Sequence, residues 1–124
     1  GFRQTEETHI MENIIYNELR VLGFHVDVGV VMKRNRTKEG AQEKKQLEID
    51  FVANKGSKRY YIQSAFSIPD DEKRMQEKAS LINVGDSFKK IIIVKDIIKP
   101  WNDDDGILTM SIFDFLLNEN SLDL

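Results

Sequence analysis

The strongest chemical signal in the sequence is an acidic side chain inside an apolar segment. Residues 47–53 read Leu-Glu-Ile-Asp-Phe-Val-Ala, which is typical of a β-strand. Side chains two apart on a strand share a face, so Glu48 and Asp50 are expected together on one face. Ile49 and Phe51 are then expected together on the other face. An acid in an apolar strand is costly to bury unless it is paired or binds a metal, so Asp50 is the first candidate functional residue.

A second strand-forming segment follows after a short turn. Residues 60–65 read Tyr-Tyr-Ile-Gln-Ser-Ala, and residues 54–58 contain Gly56. This arrangement predicts a β-hairpin, with Gln63 and Ala65 sharing a face of its second strand.

The residues before the hairpin predict a helix, a strand and a polar loop. Thr5 to Leu22 has helical periodicity, with Thr5 as its cap and Gly23 after its end. The apolar stripe of this helix comprises Met11, Ile14, Ile15, Leu19 and Leu22, and its flanks carry Glu12 and Glu18. Alternation from Phe24 to Met32 predicts a strand whose inner face carries Phe24, Val26, Val28 and Val30.

Residues 33–45 are polar and basic at both ends, and we expect a long loop there. The basic residues of its first half are Lys33, Arg34, Arg36 and Lys38. These residues are candidate nucleic-acid contacts, and the alternative is a mobile, solvated hairpin tip, because no aromatic residue is interleaved with the charges.

The residues after the hairpin predict helices and strands in alternation. Ser67 and Asp70 fit a capping box for a second helix, whose inner face would carry Ile68, Met75, Ala79 and Ile82. Residues 90–94 predict a fully buried strand, and residues 107–110 a short one. Ser111 and Asp114 fit the cap of a last helix, and the tail from Asn118 is expected to fray.

This order of elements predicts one α/β domain spanning residues 1–124, with a central mixed sheet of four or five strands flanked by helices. The net charge of −3 argues against a global basic field, and the absence of cysteine excludes disulfides and thiolate metal sites. No apolar run is long enough for a membrane span and no signal peptide is visible, so we expect a cytoplasmic protein. Because the chain begins with Gly1 instead of Met, we interpret it as a piece of a longer protein.

The α-β-β-β-α-β order and the paired strands resemble the core of the restriction-endonuclease-like fold and the PD-(D/E)XK nuclease superfamily. More closely, the chain resembles the C-terminal domain (the DUF4143 group) that follows a P-loop AAA-type ATPase module in many bacterial and archaeal proteins. The segments that carry this resemblance are residues 12–19, 48–52, 61–65, 106–107 and 114–116. The resemblance implies a parent chain with an N-terminal ATPase module that binds ATP and is the partner of this domain. DNA is a second candidate partner, through the basic residues of the loop at residues 33–45.

In the nuclease family, a helix acid and two strand acids hold Mg²⁺, and a lysine two residues after the second acid steadies the transition state. Carried over by position, the helix acid is Glu12, with Glu18 as second choice, and the first strand acid is Asp50. The second acid position holds Gln63 and the lysine position holds Ala65, so two charges are missing. Lys73 or Lys78 on the second helix could replace the lysine.

Three hypotheses follow from these departures. The first is a catalytically degenerate accessory domain of an AAA-type ATPase, acting in nucleic-acid or protein interaction. The second is a Mg²⁺-dependent DNA endonuclease with a migrated catalytic lysine, and the third is a protein-interaction module. Under the first and third, Asp50 has a structural role, hydrogen-bonded to Asn13, Tyr16 or Gln63.

Overall fold

A six-stranded mixed sheet organises residues 2–124, the part of the chain that the computed structural model describes. The elements are α1 (Phe2–Val21), β1 (His25–Arg36), β2 (Gln42–Lys55), β3 (Lys58–Ala65), α2 (Asp71–Ile82), β4 (Lys89–Val94), β5 (Trp101–Asn102), β6 (Ile107–Ser111), α3 (Ile112–Leu117) and a short 3₁₀ helix (Ser121–Asp123). The strand order is β1-β2-β3-β4-β6-β5. Pairing is parallel between β3 and β4 and between β4 and β6, and antiparallel elsewhere. The predicted α/β class with a mixed sheet is confirmed; the two-residue β5 is a strand that the sequence pattern did not predict.

The core is divided between the two faces of the sheet. The cluster on the α1 face includes Met11, Ile15, Leu19, Phe51, Ile62, Ile91, Ile93, Met110 and Phe115. The cluster on the α2 face includes Ile49, Tyr61, Ala65, Leu81, Ile92, Val94 and Ile107. Both faces of β4 are buried, as its unbroken apolar run predicts.

Helix α1 packs through residues spaced four apart. Met11, Ile15 and Leu19 are buried as predicted, whereas Ile14 is more than a third exposed. The helix begins at Phe2, so Thr5 lies inside it and the prediction of Thr5 as its cap was wrong. Among residues 2–124, no helix is both long and apolar enough to cross a membrane.

The predicted hairpin is confirmed by β2 and β3. Lys55 pairs with Lys58 across a tight turn, in which Gly56 takes a positive φ of 59°. This left-handed conformation is strained for residues with a side chain, and glycine accommodates it.

The predicted loop at residues 33–45 was wrong. β1 continues to Arg36 and pairs with β2 from Gln42, so only residues 37–41 form a turn. Residues 29–49 therefore form a two-stranded arm, which extends beyond the last pair between β2 and β3, Phe51 with Ile62. The sequence pattern did not predict these strands, because residues 33–45 have no alternating apolar side chains. Most of the arm faces solvent on both sides, so its strands need no apolar face.

A β-bulge in β2 changes which side chains face the core. Asp27 pairs with Val52 and Gly29 pairs with Ile49, so β2 contains one more residue than β1 in this interval. As a result, Ile49 packs on the α2 face and Phe51 on the α1 face, and the prediction that they share a face was wrong.

Two valines of β1 are exposed because the core cluster on their face of the sheet does not extend to them: it includes Val26 but neither Val28 nor Val30. The strict alternation predicted Val28 and Val30 in the core, yet they are 66% and 58% exposed. Gly29 lies on the opposite face of β1, and a Cβ there would lie 2.8 Å from a methyl carbon of Val52.

Three details of the C-terminal half differ from the sequence prediction. Helix α2 is capped by Asp70, whose side chain accepts from the backbone N–H of Lys73, and not by Ser67. Its Met75 and Ile82 are exposed, while Lys78 is buried. The tail does not fray, because Leu122 is buried and Asp123 accepts a hydrogen bond from the Tyr60 hydroxyl. The predicted Ser111 cap of α3 is confirmed.

Candidate functional site

Asp50 lies where β2 separates from β3. Backbone pairing between the two strands ends at Phe51 and Ile62, so the next pair along the ladder would be Asp50 with Gln63. The backbone N–H of Asp50 donates instead to the side-chain Oε1 of Gln63, at 2.7 Å. In return, the backbone N–H of Ser64 donates to Oδ2 of Asp50, at 2.8 Å. Two side chains thus replace backbone carbonyls at the end of the ladder and satisfy both N–H groups.

The other end of the Gln63 amide is also engaged. Its Nε2 donates to Oγ of Ser80 on α2, at 2.9 Å, and makes a longer contact of 3.4 Å to the backbone oxygen of Glu48. Gln63 is only 8% exposed. Of the three partners proposed for a structural Asp50, the structure selects Gln63, although the bond uses the Asp50 backbone and the carboxylate bonds to Ser64.

The surroundings of Asp50 disfavour its negative charge. Burial is the largest cause and raises its pKa to about 6, against the opposing effect of the Ser64 N–H. The negative charges of Glu12 on α1 and Glu77 on α2 raise the pKa further. Glu12, unlike Glu18, is among the acids whose negative charge raises the pKa of Asp50.

The lysine position of the nuclease pattern is occupied by apolar packing. Ala65 is 3% exposed and belongs to the α2-face cluster with Ile49 and Leu81. Lys78 is held elsewhere, at 2.9 Å from Asp103 and 2.5 Å from Asp105.

Lys73 is the second candidate for the missing lysine, and it lies beside a cleft. It forms an ion pair with Glu77 at 2.9 Å, and both residues line a cleft of about 570 Å³ between the N-terminal halves of α1 and α2. Ser64 also lines this cleft, and its hydroxyl oxygen is buried without a hydrogen-bond partner among the described residues. The cleft thus adjoins the Asp50 region through Ser64 and Glu77.

The candidate Mg²⁺ ligands Asp50 and Gln63 already accept hydrogen bonds from the backbone. The oxygen of Gln63 is occupied by the Asp50 N–H, and one oxygen of Asp50 is occupied by the Ser64 N–H. Within residues 2–124, no three His, Cys, Asp or Glu side chains lie close enough together to hold a metal ion. A Mg²⁺ ion at this position would have to share these two oxygens with the hydrogen bonds that they already accept from the backbone.

The predicted nucleic-acid contacts lie on the arm. Lys33, Arg34 and Arg36 belong to β1, and Lys38 lies in the turn. Lys33 pairs directly with Lys45 across the ladder, and Arg34 with Lys44. Residues 33–45 contain six basic and two acidic side chains, a net charge of +4, while the whole chain carries −3, so the rest of the molecule carries −7.

Two features near the site were not predicted from the sequence. Ser80 anchors Gln63, and a single hydroxyl on a polar helix gives no pattern that would single it out. Asp103 accepts a hydrogen bond from Arg74 and forms an ion pair with Lys78. These contacts fix α2 against the turn before β6. Arg74 and Lys78 are four residues apart and share a helix face, and this spacing was the sequence signal that could have indicated the network.

No protein-family model matches the chain. An uncharacterized protein of Haemophilus influenzae is 33% identical over 107 residues, which cover 86% of this chain and 22% of that protein. The chain therefore spans about a fifth of the length of the relative that it matches.

Proposed function

We propose that the chain is a nuclease-like accessory domain of an AAA-type ATPase, that it does not cleave phosphodiesters, and that it contacts nucleic acid through the arm. The observation that carries the first part is the side chain of Gln63. The position where the nuclease pattern has a metal-binding acid holds an amide whose two ends bond to Asp50 and Ser80.

The loss of charge at positions 63 and 65 is expected to reduce the rate of cleavage strongly. Removing one stabilising group from a preorganised site commonly reduces the rate by about 10²–10³-fold. Gln63 and Ala65 replace two such groups, and the apolar packing around Ala65 leaves no charge near it on the strand. These two replacements support a structural, non-catalytic centre. The cytoplasmic location that the sequence predicts is part of the same proposal.

The proposed ATPase parent is supported by the resemblance to the ATPase C-terminal domain. The Haemophilus influenzae relative is several times longer than the segment it shares with this chain, which is the relation expected for a domain joined to another module. A GxxxxGK[ST] loop in the open reading frame upstream of Phe2 would support the proposal, because that loop cradles ATP phosphates. A parent reading frame without a phosphate-binding loop would contradict it.

The arm supports the nucleic-acid part of the proposal. Like charges directly opposite on a ladder repel, and the Lys33–Lys45 and Arg34–Lys44 pairs place four cations on a two-stranded ribbon. A polyanion would relieve this repulsion. The major groove of B-DNA admits a two-stranded ribbon, and phosphate contacts from Lys and Arg supply most of non-specific affinity.

A cleavage assay tests the first part. We expect no cutting of plasmid or branched DNA by the wild-type chain with Mg²⁺ or Mn²⁺. Robust cutting that disappears in Asp50→Ala would overturn the proposal.

The arm is tested by fluorescence anisotropy with a labelled duplex at several salt concentrations. The double variant Arg34→Glu/Lys44→Glu should lose at least about tenfold in affinity and show a shallower salt dependence. The matched control, Lys58→Glu/Lys99→Glu, changes the net charge equally at exposed positions away from the arm and should lose much less. Equal losses in both double variants would indicate a general charge effect and contradict a role for the arm.

A second candidate function is the Mg²⁺-dependent nuclease, and Lys73 is the observation that favours it. Lys73 lines the same cleft as Ser64, whose backbone N–H donates to Asp50, the first strand acid of the nuclease pattern. If cutting is found, Lys73→Ala should abolish it under this hypothesis, whereas Lys99→Ala should leave it unchanged. The third candidate, a protein-interaction module, is tested by the experiments of the next subsection.

A further inference from the structure

β1 is the edge strand of the sheet, and its outer side is open. The sheet order ends at β1, so within residues 2–124 no strand pairs with that side. β1 has 12 residues, or about 40 Å of strand. The extra residue of the bulge lies in β2, and β1 itself therefore remains regular. Such an edge exposes a row of unpaired backbone donors and acceptors, which can pair with another strand.

The middle of this edge lacks the usual protection. Edge strands of soluble proteins commonly carry charged residues or proline that prevent pairing. Residues 28–32 contain neither, and Val28, Val30 and Met32 are 66%, 58% and 49% exposed on one face. This apolar stripe lies beside the open backbone edge.

We propose that β1 pairs with β1 of a second copy of this chain, antiparallel, with Val30 on the twofold axis. In this register Val28 lies opposite Met32 of the second copy, and Val30 lies opposite itself. Directly opposite side chains in an antiparallel pair share a face and contact each other. The three exposed apolar residues would thus cover one another.

The charges of β1 select this partner and this register. Asp27 and Lys33 are equally distant from Val30, so each Asp27 lies opposite Lys33 of the second copy. The twofold axis produces this ion pair twice, as an isologous interface requires. No like charges become opposite, because Arg34 faces Val26 and Arg36 faces Phe24.

Neighbouring registers lack this complementarity. A twofold axis places residues of the same face opposite each other, so the neighbouring registers centre on Gly29 or Val31. The first places Asp27 opposite Val31, and the second places Asp27 opposite Asn35. Either shift separates Asp27 from Lys33. The self-complementary pattern therefore points to a second copy of this chain as the occupant of the edge.

The first experiment measures the mass of the 124-residue chain by light scattering and sedimentation over a concentration series. We expect wild type to shift from 14.4 kDa toward twice that mass. Val30→Lys places two ammonium groups face to face and should weaken the dimer by at least about tenfold. Ile97→Lys, at a residue that is 87% exposed outside β1, should dimerise like wild type. A wild type that stays monomeric, or a dimer that Val30→Lys does not weaken, would overturn the proposal.

The second experiment tests the register through charge reversal and does not depend on Val30. Asp27→Lys and Lys33→Asp should each weaken the dimer, because each creates like-charged pairs across the axis. The combined variant restores opposite charges and should dimerise again, while all variants keep the wild-type circular dichroism. A combined variant weaker than both single variants would exclude this register. Neither experiment involves nucleic acid. A monomeric chain would therefore contradict the dimer and leave the proposed function untouched.

Discussion

The backbone N–H of Asp50 lies 2.7 Å from the side-chain oxygen of Gln63, in the place where a continuing ladder would offer a backbone carbonyl. The carboxylate of Asp50 makes the reciprocal bond to the backbone of Ser64. The strands can therefore diverge without leaving either N–H group unpaired, and the arm begins at this point. Asp50 and Gln63, which the sequence placed in a catalytic site, therefore complete the hydrogen bonds at the end of the β2–β3 ladder.

Gln63→Glu should destabilise the chain although it restores the family acid. A carboxylate cannot donate to Ser80 or to the Glu48 backbone, and it adds a buried negative charge beside Asp50. We expect a loss of about 2 kcal/mol in the free energy of unfolding, measured by urea denaturation at pH 7.5. Gln46→Glu, on the exposed arm, should change it by less than about 0.5 kcal/mol. A variant that Mg²⁺ stabilises strongly would show instead that the site still accepts a metal.

Asp50→Asn should change the pH dependence of stability. Burial raises the folded-state pKa of Asp50 to about 6, above its ordinary value of 3.8, so the proton is held more tightly in the folded chain. This stabilising contribution is complete below pH 3.8 and is lost as the pH rises through 6. At pH 7.5 the variant should therefore be more stable than wild type by up to about 3 kcal/mol, provided that the asparagine oxygen accepts from Ser64.

At pH 4, where wild-type Asp50 is protonated in the folded chain, the difference between Asp50→Asn and wild type should be small. Urea denaturation at both pH values measures it, with the exposed Asp104→Asn as control. An Asp50→Asn variant that is less stable at pH 7.5 than at pH 4, relative to wild type, would contradict the raised pKa.

Lys78→Ala should be far more destabilising than Lys73→Ala on the same helix. The side chains of Lys78 and Asp103 are 7% and 8% exposed, and removal of one member of a buried pair typically costs about 3–5 kcal/mol. Arg74 still contacts Asp103, so we expect the lower end of that range. The Lys73–Glu77 pair is more exposed and should contribute less than about 1 kcal/mol. Thermal denaturation of both variants compares them, and equal losses would contradict the importance of the buried network.

The ion pairs of Asp103 with Lys78 and Arg74 should be lost in strong acid. Burial opposes the charge of Asp103, but bonds from the Ile107 N–H, Lys78 and Arg74 outweigh it and lower the pKa to about 2. Its contribution to stability is present above pH 3.8 and is lost as the pH falls through 2. Asp103→Asn should remove this part of the acid denaturation curve, which circular dichroism would follow. An unchanged acid transition would contradict the assignment.

Gly29→Ala should destabilise the junction of the arm. The new Cβ would lie 2.8 Å from a methyl of Val52 and 3.1 Å from Cβ of Ile49, and overpacking of this kind costs about 1–3 kcal/mol. Val52→Ala removes the closest methyl, so the double variant should lose less than the sum of the single losses. Urea denaturation of the three variants measures this coupling, and strict additivity would show that the crowding is absent.

Local pattern predicted much of the fold. The four-residue spacing of Met11, Ile15 and Leu19, the apolar run of β4 and the turn at Gly56 each depend on neighbours in sequence, and all were found from it. The arm and the bulge depend on pairing between β1 and β2, which no local period encodes. Ile49 and Phe51 show the result, since one extra residue in β2 puts them on opposite faces of the sheet.

The candidate site shows the same division. Asp50 was identified from residue type and position, and Glu12 from the resemblance to the nuclease family; the negative charge of Glu12 contributes to the raised pKa of Asp50. The bonds that define the site could not be predicted, because Ser80 and the Ser64 backbone come from distant or featureless positions. Lys78 was considered only as a replacement for the missing lysine, because buried lysines are rare. The turn carrying Asp103 and Asp105 explains its burial.

In a single copy of the chain, the separation of a +4 tip from a −7 body gives a permanent electrical axis along the arm. A polyanion approaching from solution repels the body and attracts the tip, so the torque orients the molecule before any contact forms. The body would then be held away from the polyanion by the length of the ribbon. Recognition by this molecule would therefore begin at its far end, at a distance from the cleft.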